Sequence, residues 1–220
     1  MAGILITLEG IEGSGKSTQL GFLSDQLSKR GLPHVCSKEP GGTSLGKELR
    51  SLLLTPHPSG EKWRPEAELL LFCADRAQHM ETVVWPTLQA GRIVLLDRFE
   101  DSTRAYQGAQ GISEKTLSVL SQVVLKGFRP DLTLLFDADP AKTLARVNTR
   151  NTGKSGFAET RFDNETLDFH ERVRKVFLEI ASQEPDRVHV INAHENPEDV
   201  ADNVWSVVAP ALKAAGFLIE

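Results

Sequence analysis

The feature that most constrains the fold is a glycine-rich segment near the N-terminus, directly after a short apolar run. The run is Ile4–Leu8, and residues Gly10–Ser17 read Gly-Ile-Glu-Gly-Ser-Gly-Lys-Ser, which matches the phosphate-binding pattern G-x-x-x-x-G-K-[ST]. The run predicts a buried strand, and the apolar residues after Lys16 recur at helical spacing. A strand, this loop and a helix, in that order, indicate a binding site for a nucleoside triphosphate.

Each part of this loop has a physical task. Gly10, Gly13 and Gly15 permit backbone angles and close approaches that a Cβ would block. Backbone N–H groups can then point at phosphate oxygens, while Lys16 reaches the outer phosphates and the Ser17 hydroxyl holds Mg²⁺. The alternative is a glycine-rich turn that binds nothing. The predicted triphosphate-binding residues are Gly10, Ile11, Glu12, Gly13, Ser14, Gly15, Lys16, Ser17 and Thr18.

Composition narrows the class of protein. The chain has 220 residues, of which 40% are hydrophobic and 25% charged, which suits one globular domain with a small lid. A net charge of −5 argues against a nucleic-acid surface, because such binding depends on phosphate neutralisation. Two cysteines make no disulfide framework, and no run approaches the roughly 18 apolar residues of a membrane span. We expect a cytoplasmic protein with neither nucleic acid nor membrane as partner.

Strand-like and helix-like segments alternate along the chain. Four further apolar runs predict strands, namely His34–Ser37, Arg92–Arg98, Leu132–Asp137 and Arg187–Ile191. Helices are predicted to begin near Lys16, Ser44, Pro65, Ser113, Pro140, Asn164 and Pro197, and the helix from Pro65 should break or kink before Pro86. Short apolar strands separated by helices indicate a parallel sheet covered on both faces. The predicted fold is α/β, a three-layer sandwich of the P-loop NTPase type around a five-stranded parallel sheet.

The carboxyl edge of this sheet is where ligands bind in such folds. That rule gathers the phosphate loop, Glu39, Asp97–Arg98 and Asp137–Asp139 at one edge. A carboxylate at position 97 can hold Mg²⁺, and the guanidinium of Arg98 can clamp a phosphate. An ordinary ion pair at the strand end is the alternative.

Other candidate residues lie on predicted helices. Phe72 and Arg76 are four residues apart and share a helix face, which would suit an aromatic that stacks on a base and an arginine at the edge of that base. A core phenylalanine and a solvated arginine remain the alternative. The polar stretch 102–108 contains the only tyrosine, Tyr106, for which packing and ligand contact are both open. Arg50 has no distinguishing signal of its own.

A basic segment interrupts the second half of the chain. Residues 151–158 are rich in glycine, serine and threonine, and Arg146, Arg150, Lys154 and Arg161 lie in or beside them. We predict a mobile lid over about 146–162 that closes over phosphates. A solvated surface is the alternative.

Together these motifs resemble those of bacterial thymidylate kinases, over nearly all of the 220 residues. The resemblance is carried by Leu8–Thr18, Glu39–Thr43, Leu49–Leu54, Leu71–Arg76, Asp97–Phe99, Ser102–Gly108, Arg129–Thr133 and Arg161–Asp163. It implies transfer of the γ-phosphoryl group of ATP to dTMP, giving dTDP and ADP for dTTP biosynthesis. It also implies Mg²⁺ as cofactor, one kinase domain over residues 1–220 and a homodimer.

The resemblance further implies roles for matched residues. Phe72 would stack on thymine, Arg76 would donate to a base carbonyl, and Tyr106 would pack where a ribose 2′-hydroxyl would lie. Glu12 would lie near the 3′-hydroxyl of the acceptor sugar. The implied dTMP-binding set is Glu39, Pro40, Arg50, Phe72, Arg76, Arg98, Thr103, Tyr106 and Gln107.

The catalytic set implied by the resemblance is Lys16, Arg98, Arg150 and Glu12, with Ser17 and Asp97 at the metal. The phosphate loop has no basic residue before Lys16, so the charge-stabilising arginine should come from the lid. Arg150 is the first choice and Arg146 the second. Two other functions stay open: a kinase of this fold that acts on a nucleoside or on CMP or UMP, and a nucleotide-binding switch or assembly ATPase.

Overall fold

A computed structural model of the chain describes residues 3–145, 162 and 165–219. Its strands are β1 Ile4–Glu9, β2 His34–Lys38, β3 Ile93–Asp97, β4 Leu132–Asp137 and β5 Val188–Asn192. Its helices are α1 Lys16–Lys29, α2 Ser44–Leu54, α3 Pro65–His79, α4 Trp85–Gln89, α5 Glu100–Ala109, α6 Glu114–Leu125, α7 at residues 140–145, α8 Leu167–Gln183 and α9 Pro197–Ala214. The predicted lid, with Arg146, Arg150 and Arg161, lies outside the described residues except for Phe162.

The five strands form one parallel sheet in the order β2-β3-β1-β4-β5. Strand β1 is central, and its Leu8 pairs with Asp97 of β3 on one side and Leu134 of β4 on the other. The loops that follow β1 and β3 therefore leave the sheet side by side. The predicted α/β class and five-stranded parallel sheet are confirmed.

Both faces of the sheet are covered, as predicted. Ile6 and Leu8 of β1 belong to a core cluster with residues of α1 and α9. Leu5, which points to the opposite face, packs with Met80, Val84 and Leu125. This alternation places helices on both sides of β1, because successive strand side chains point to opposite faces.

Helix ends follow local signals in the sequence. Thr43 Oγ1 accepts a hydrogen bond from Gly46 N–H at 2.9 Å and begins α2, as an N-cap residue does. Helix α8 begins at Leu167, three residues later than predicted, because Thr166 caps it through Phe169 N–H. Proline at position 65 occupies the first turn of α3, where its missing N–H is not needed.

Two helical features differ from prediction. The predicted break before Pro86 is a π-helical turn over Met80–Val84 that leads directly into α4, so the chain remains helical through the proline. Helix α5 is not predicted at all, because its buried residues include Glu100, Asp101 and Gln107 and the apolar periodicity is lost. None of the described helices is long and apolar enough to span a membrane.

Candidate active site

A cavity opens at the carboxyl ends of β1 and β3. It is lined by Glu12, Gly13, Lys16, Ser17, Glu39, Pro40, Arg50, Leu54, Phe72, Asp97, Arg98, Ser102, Thr103, Tyr106, Gln107 and Phe162. The phosphate loop and Asp97 line one part of the cavity, and residues of α3 and α5 line another part. The structure thus brings most of the predicted site residues into a single space.

The phosphate loop is shaped by its glycines and by Lys16. Gly10 has φ +136°, and a Cβ there would meet the carbonyl oxygen of Phe136 at 2.6 Å. The Lys16 ammonium donates to the carbonyl oxygens of Gly10 and Ile11 at 3.0 and 2.8 Å. Burial, with the charge of Arg98, lowers the pKa of Lys16 from 10.5 to about 8.

The remaining loop residues have different surroundings. Ile11 is buried in the core, with only 2% of its surface exposed, so its contribution to a ligand is restricted to its backbone. Gly15 is the N-cap of α1 in a left-handed conformation. Thr18 is exposed on the first turn of α1. Ser14 Oγ lies 3.3 Å from the Lys16 ammonium.

Arg98 joins the phosphate loop to α5. Its guanidinium donates to the carbonyl oxygen of Gly10 at 3.0 Å and to Glu12 Oε1 at 3.0 Å. It also donates to Ser102 Oγ at 3.1 Å and lies over the Tyr106 ring, 5.1 Å from its centroid. Arg98 has φ +71°, a left-handed conformation that directs its side chain back toward the loop.

Glu12 is the acceptor at the centre of this cluster. Arg98 donates to its Oε1, while Tyr106 donates its hydroxyl to Oε2 at 2.6 Å. His170 Nδ1 of α8 lies 3.4 Å from the same oxygen. Burial alone would raise the pKa of Glu12, but Arg98, the His170 contact, Lys16 and the Tyr106 hydroxyl outweigh it and lower that pKa from 4.5 to about 2.

The predicted metal ligands are neighbours. Ser17 Oγ donates to Asp97 Oδ2 at 2.9 Å, although they are 80 residues apart in the chain. Asp97 forms no ion pair with the described residues, so a strand-end ion pair is not observed there. Within the same described range, no three His, Cys, Asp or Glu side chains are grouped so that they could hold a metal.

Glu9 is a buried carboxylate beneath the loop. Its Oε1 accepts from Phe99 N–H at 2.8 Å, and its Oε2 accepts from the Ser102 hydroxyl at 2.5 Å. Burial and the charge of Asp101 raise the pKa of Glu9 to about 7. Through Phe99 and Ser102, Glu9 fixes the residues that flank Arg98.

The far wall of the cavity is built by α3 and α5. Phe72 lines the cavity, whereas Arg76 lies behind it with 4% of its surface exposed. Arg76 donates through Nε to Glu39 at 2.7 Å and through Nη2 to Thr103 Oγ1 at 3.0 Å. Arg76 is therefore not the solvated charge of the alternative interpretation. Gln107, one turn beyond Thr103, also lines the cavity.

Side chains of α3 hold the loop that follows β2. Glu39 accepts from His79 Nδ1 at 2.9 Å, and Asp75 accepts from Gly41 N–H at 3.1 Å. The peptide bond between Glu39 and Pro40 is cis, and the Pro40 carbonyl oxygen accepts from Arg50 at 2.9 Å. The contact with Pro40 holds Arg50 at the cavity, although Arg50 has no distinguishing pattern in the sequence.

Several residues of the site were not among the predicted site residues. Glu9, Ser102 and His170 are common residue types at unremarkable spacing. Only the fold brings His170 to Glu12, Ser102 to Arg98 and Glu9 to Ser102. Asp137, which was expected at the same edge, is held by a bidentate ion pair with Arg174 at 2.6 and 2.8 Å. Its carboxylate is therefore already satisfied.

Comparison with known proteins agrees with this arrangement. The family model described as thymidylate kinase matches residues 8–204. The thymidylate kinase of Desulfovibrio desulfuricans is 46% identical over 215 residues, or 97% of this chain and 98% of the relative. That of Desulforapulum autotrophicum is 47% identical over 205 residues, or 92% and 89%.

The structural comparison gives the same result. A crystal structure of thymidylate kinase from Ehrlichia chaffeensis aligns with a TM-score of 0.74 at 32% identity, covering 95% of this chain and 99% of that one. The matched region spans the phosphate loop, the cavity wall and the strand ends described above. On these grounds the chain belongs to the thymidylate kinase family.

Proposed function

We propose that this chain transfers the γ-phosphoryl group of ATP to dTMP, giving dTDP and ADP. The observation that carries the proposal is a single cavity lined both by Lys16 of the phosphate loop and by Phe72, Thr103 and Gln107 of the opposite wall. A triphosphate on the loop and a nucleotide against that wall would meet near Arg98. Phosphoryl transfer depends on such positioning and on charge stabilisation.

On the donor side, the loop N–H groups and the first turn of α1 would bind the ATP phosphates. Lys16 would neutralise charge on the transferred group. In this structure its ammonium donates to the carbonyl oxygens of the loop. Phosphate oxygens of bound ATP would take the place of these acceptors. The set Gly10, Ile11, Glu12, Gly13, Ser14, Gly15, Lys16, Ser17 and Thr18 remains the proposed ATP site.

Mg²⁺ is the proposed cofactor, and the residues present fit it. The Ser17 hydroxyl and the Asp97 carboxylate are 2.9 Å apart, and both are the oxygen ligands that Mg²⁺ prefers. When bound, the ion would withdraw charge from the phosphate oxygens. Ser17 and Asp97 would hold it together with ATP phosphates, which is consistent with the small number of protein ligands.

On the acceptor side, Arg98 and Arg50 would bind the dTMP phosphate, beside the turn at Glu39 and Pro40. Hydrogen bonds to Gly10 and Glu12 hold Arg98 at the cavity, which supports this assignment. The acceptor atom is already an anionic phosphate oxygen, so the reaction needs no strong general base. The arginines would instead reduce the repulsion between the donor and acceptor phosphates.

The base and sugar would occupy the other half of the cavity. Phe72 would stack on the base, with Thr103 and Gln107 at its polar edge and Arg76 behind Thr103. Tyr106 would lie where a 2′-hydroxyl would otherwise fit. Glu12 would face the sugar 3′-hydroxyl, and the geometry that supports this is its position between the phosphate loop and the Tyr106 hydroxyl.

The remaining charge is proposed to come from the lid. Arg150, or else Arg146, would stabilise the transferred group, since the loop itself offers only Lys16. An arginine in that role is worth roughly 10³–10⁵ in rate in other phosphoryl-transfer enzymes. Closure of the lid would also keep water from accepting the phosphoryl group.

We further propose that the chain is one kinase domain that works in the cytoplasm as a homodimer. Two unpaired cysteines, Cys36 and Cys73, suit a reducing compartment. The dimer is implied by the resemblance, and it is supported by exposed aliphatic side chains on adjoining helices α2, α3 and α6, namely Leu45, Leu52, Leu70, Val119 and Val123. Sedimentation equilibrium would test it, and a monomer at micromolar concentration would contradict it.

The deciding experiment measures ADP formation from ATP with and without dTMP. Parallel reactions with dUMP, CMP and thymidine would identify the acceptor class. Turnover that depends on dTMP supports the proposal. Equal ATP hydrolysis without an acceptor would favour a switch or assembly ATPase, and preference for thymidine or CMP would favour another kinase of this fold.

A further inference from the structure

A buried carboxylate lies behind the cavity wall that α3 and α5 build, and it has no part in the proposed phosphoryl transfer. Glu68 of α3 has 1% of its surface exposed. Two side-chain amides donate to Glu68 Oε1. They are Gln107 Nε2 of α5 at 2.7 Å and Gln110 Nε2, directly after the end of α5, at 3.3 Å. Gln107 lines the cavity, whereas Gln110 does not.

The carboxylate of Glu68 determines how the Gln107 amide is oriented. An ionised carboxylate only accepts hydrogen bonds, and an amide donates only through its nitrogen. Two converging amides therefore both turn their nitrogen atoms toward Glu68. The carbonyl oxygen of Gln107 is then directed away from Glu68, and this side chain presents an acceptor to the cavity.

Thr103 presents the opposite polarity one turn earlier on α5. Its Oγ1 accepts from Arg76 Nη2 at 3.0 Å, and a guanidinium can only donate. The Thr103 hydroxyl must therefore donate its proton to another acceptor. Because Thr103 lines the cavity, a ligand there can be that acceptor. The wall thus offers a donor at Thr103 beside an acceptor at Gln107, each oriented by a buried side chain behind it, Arg76 and Glu68 respectively.

This pair matches one kind of pyrimidine edge. Thymine and uracil carry an acceptor at O4 next to a donor at N3–H, whereas cytosine carries a donor at N4 next to an acceptor at N3. We propose that Glu68 is a specificity-determining positioning residue: it holds the Gln107 amide so that the wall accepts an imide edge and rejects an aminopyrimidine. The inference rests on the proposed function, because it takes this wall as the nucleobase site.

The test is Glu68→Gln, with equilibrium binding and kcat/KM measured for dTMP, dUMP and dCMP. A glutamine can present either an oxygen or a nitrogen to Gln107, so the Gln107 amide can adopt both orientations. We expect the dTMP:dCMP ratio to fall by roughly 10-fold or more, because wrong polarity at a buried hydrogen-bonding site is costly. The dTMP:dUMP ratio should stay the same, since these bases share the imide edge, and the KM for ATP should not change.

Gln110→Leu is the matched control. It removes the other amide from Glu68 Oε1 but touches no cavity surface, so the dTMP:dCMP ratio should persist. If Glu68→Gln does not fold, Gln107→Leu replaces it, and that variant should weaken binding of dTMP and dUMP but not of dCMP.

Two results would overturn the inference: an equal loss for all three nucleotides, or a shift in dTMP:dUMP as large as that in dTMP:dCMP. Both would indicate a merely structural role for Glu68. Binding of dTMP without turnover by the parent protein would instead overturn the proposed function and leave the binding ratios to decide the role of Glu68. Absence of dTMP binding by the parent would overturn both.

Discussion

Replacing Glu9 by glutamine should make the stability of this protein much less sensitive to pH. Glu9 is fully buried, and burial, reinforced by Asp101, raises its pKa from 4.5 to about 7 in spite of the Ser102 hydrogen bond, Arg98 and the Phe99 N–H. Because the folded state holds this proton more tightly, the contribution to stability is fully present below pH 4.5. It is lost as the pH rises through about 7.

The magnitude follows from the interval between the two pKa values. From 4.5 to about 7, at about 1.4 kcal/mol per pH unit, the linkage is worth about 3 kcal/mol. Glutamine has no such titration. Its carbonyl oxygen can still accept from Phe99 N–H, and its amino group can donate to Ser102 Oγ, which now lies 2.5 Å from the carboxylate. Relative to the parent, the free energy of unfolding of Glu9→Gln should rise by about 2.5 kcal/mol between pH 5 and pH 8, since part of the interval lies below pH 5.

Urea unfolding followed by fluorescence of the 3 tryptophans would measure this difference. Glu171→Gln on the exposed side of α8 is the control for removing a carboxylate as such. Parallel stability curves for Glu9→Gln and its parent from pH 5 to pH 8 would refute the argument from burial. A variant that is less stable than the parent by the same amount at both pH values would show that the hydrogen bonds matter and the titration does not.

Three further predictions concern the reaction itself. Phe72→Ala should raise the KM for dTMP by roughly 10-fold or more through lost aromatic burial and leave the KM for ATP nearly unchanged; equal damage to both would contradict stacking. ATP binding, measured by calorimetry with a non-hydrolysable analogue, should weaken above pH 8 by up to about 10-fold per pH unit, because burial lowers the pKa of Lys16 to about 8 and only the charged ammonium attracts phosphate. Affinity that stays constant to pH 9.5 would oppose that reading. Arg150→Ala should lower kcat by roughly 10³-fold or more with little change in dTMP binding, and an unchanged kcat would remove Arg150 from the mechanism.

Most strands could be predicted from the sequence because they are short runs of mainly apolar residues. Leu132–Asp137 is one such run, and its predicted bounds are those of β4. The glycine-rich loop was equally clear, because its function requires fixed residue types at fixed spacing. Because β1 and β3 are neighbours in the sheet, Asp97 at the end of β3 lies beside Ser17, which follows the loop after β1.

Helix α5 and the buried charges could not be predicted in this way. The helix buries polar side chains that are satisfied by distant partners, as Gln107 is by Glu68 and Asp101 by Arg187. From the sequence alone, such polar residues are expected to be exposed, because their hydrogen-bond partners come together only in the tertiary structure. His170 is a single histidine on a helix, and nothing in its neighbourhood along the chain indicates its contact with Glu12.

The surroundings of Glu12 have a consequence for how the two substrates would influence each other. Its backbone belongs to the phosphate loop, whereas its carboxylate is held by Tyr106 of α5, by His170 of α8 and by Arg98. Any shift of the loop on binding ATP therefore changes the contact between Glu12 and Tyr106 in the dTMP half of the cavity. The binding of ATP and the binding of dTMP are thus energetically coupled. That coupling is reciprocal: whatever factor ATP imposes on dTMP affinity, dTMP must impose on ATP affinity.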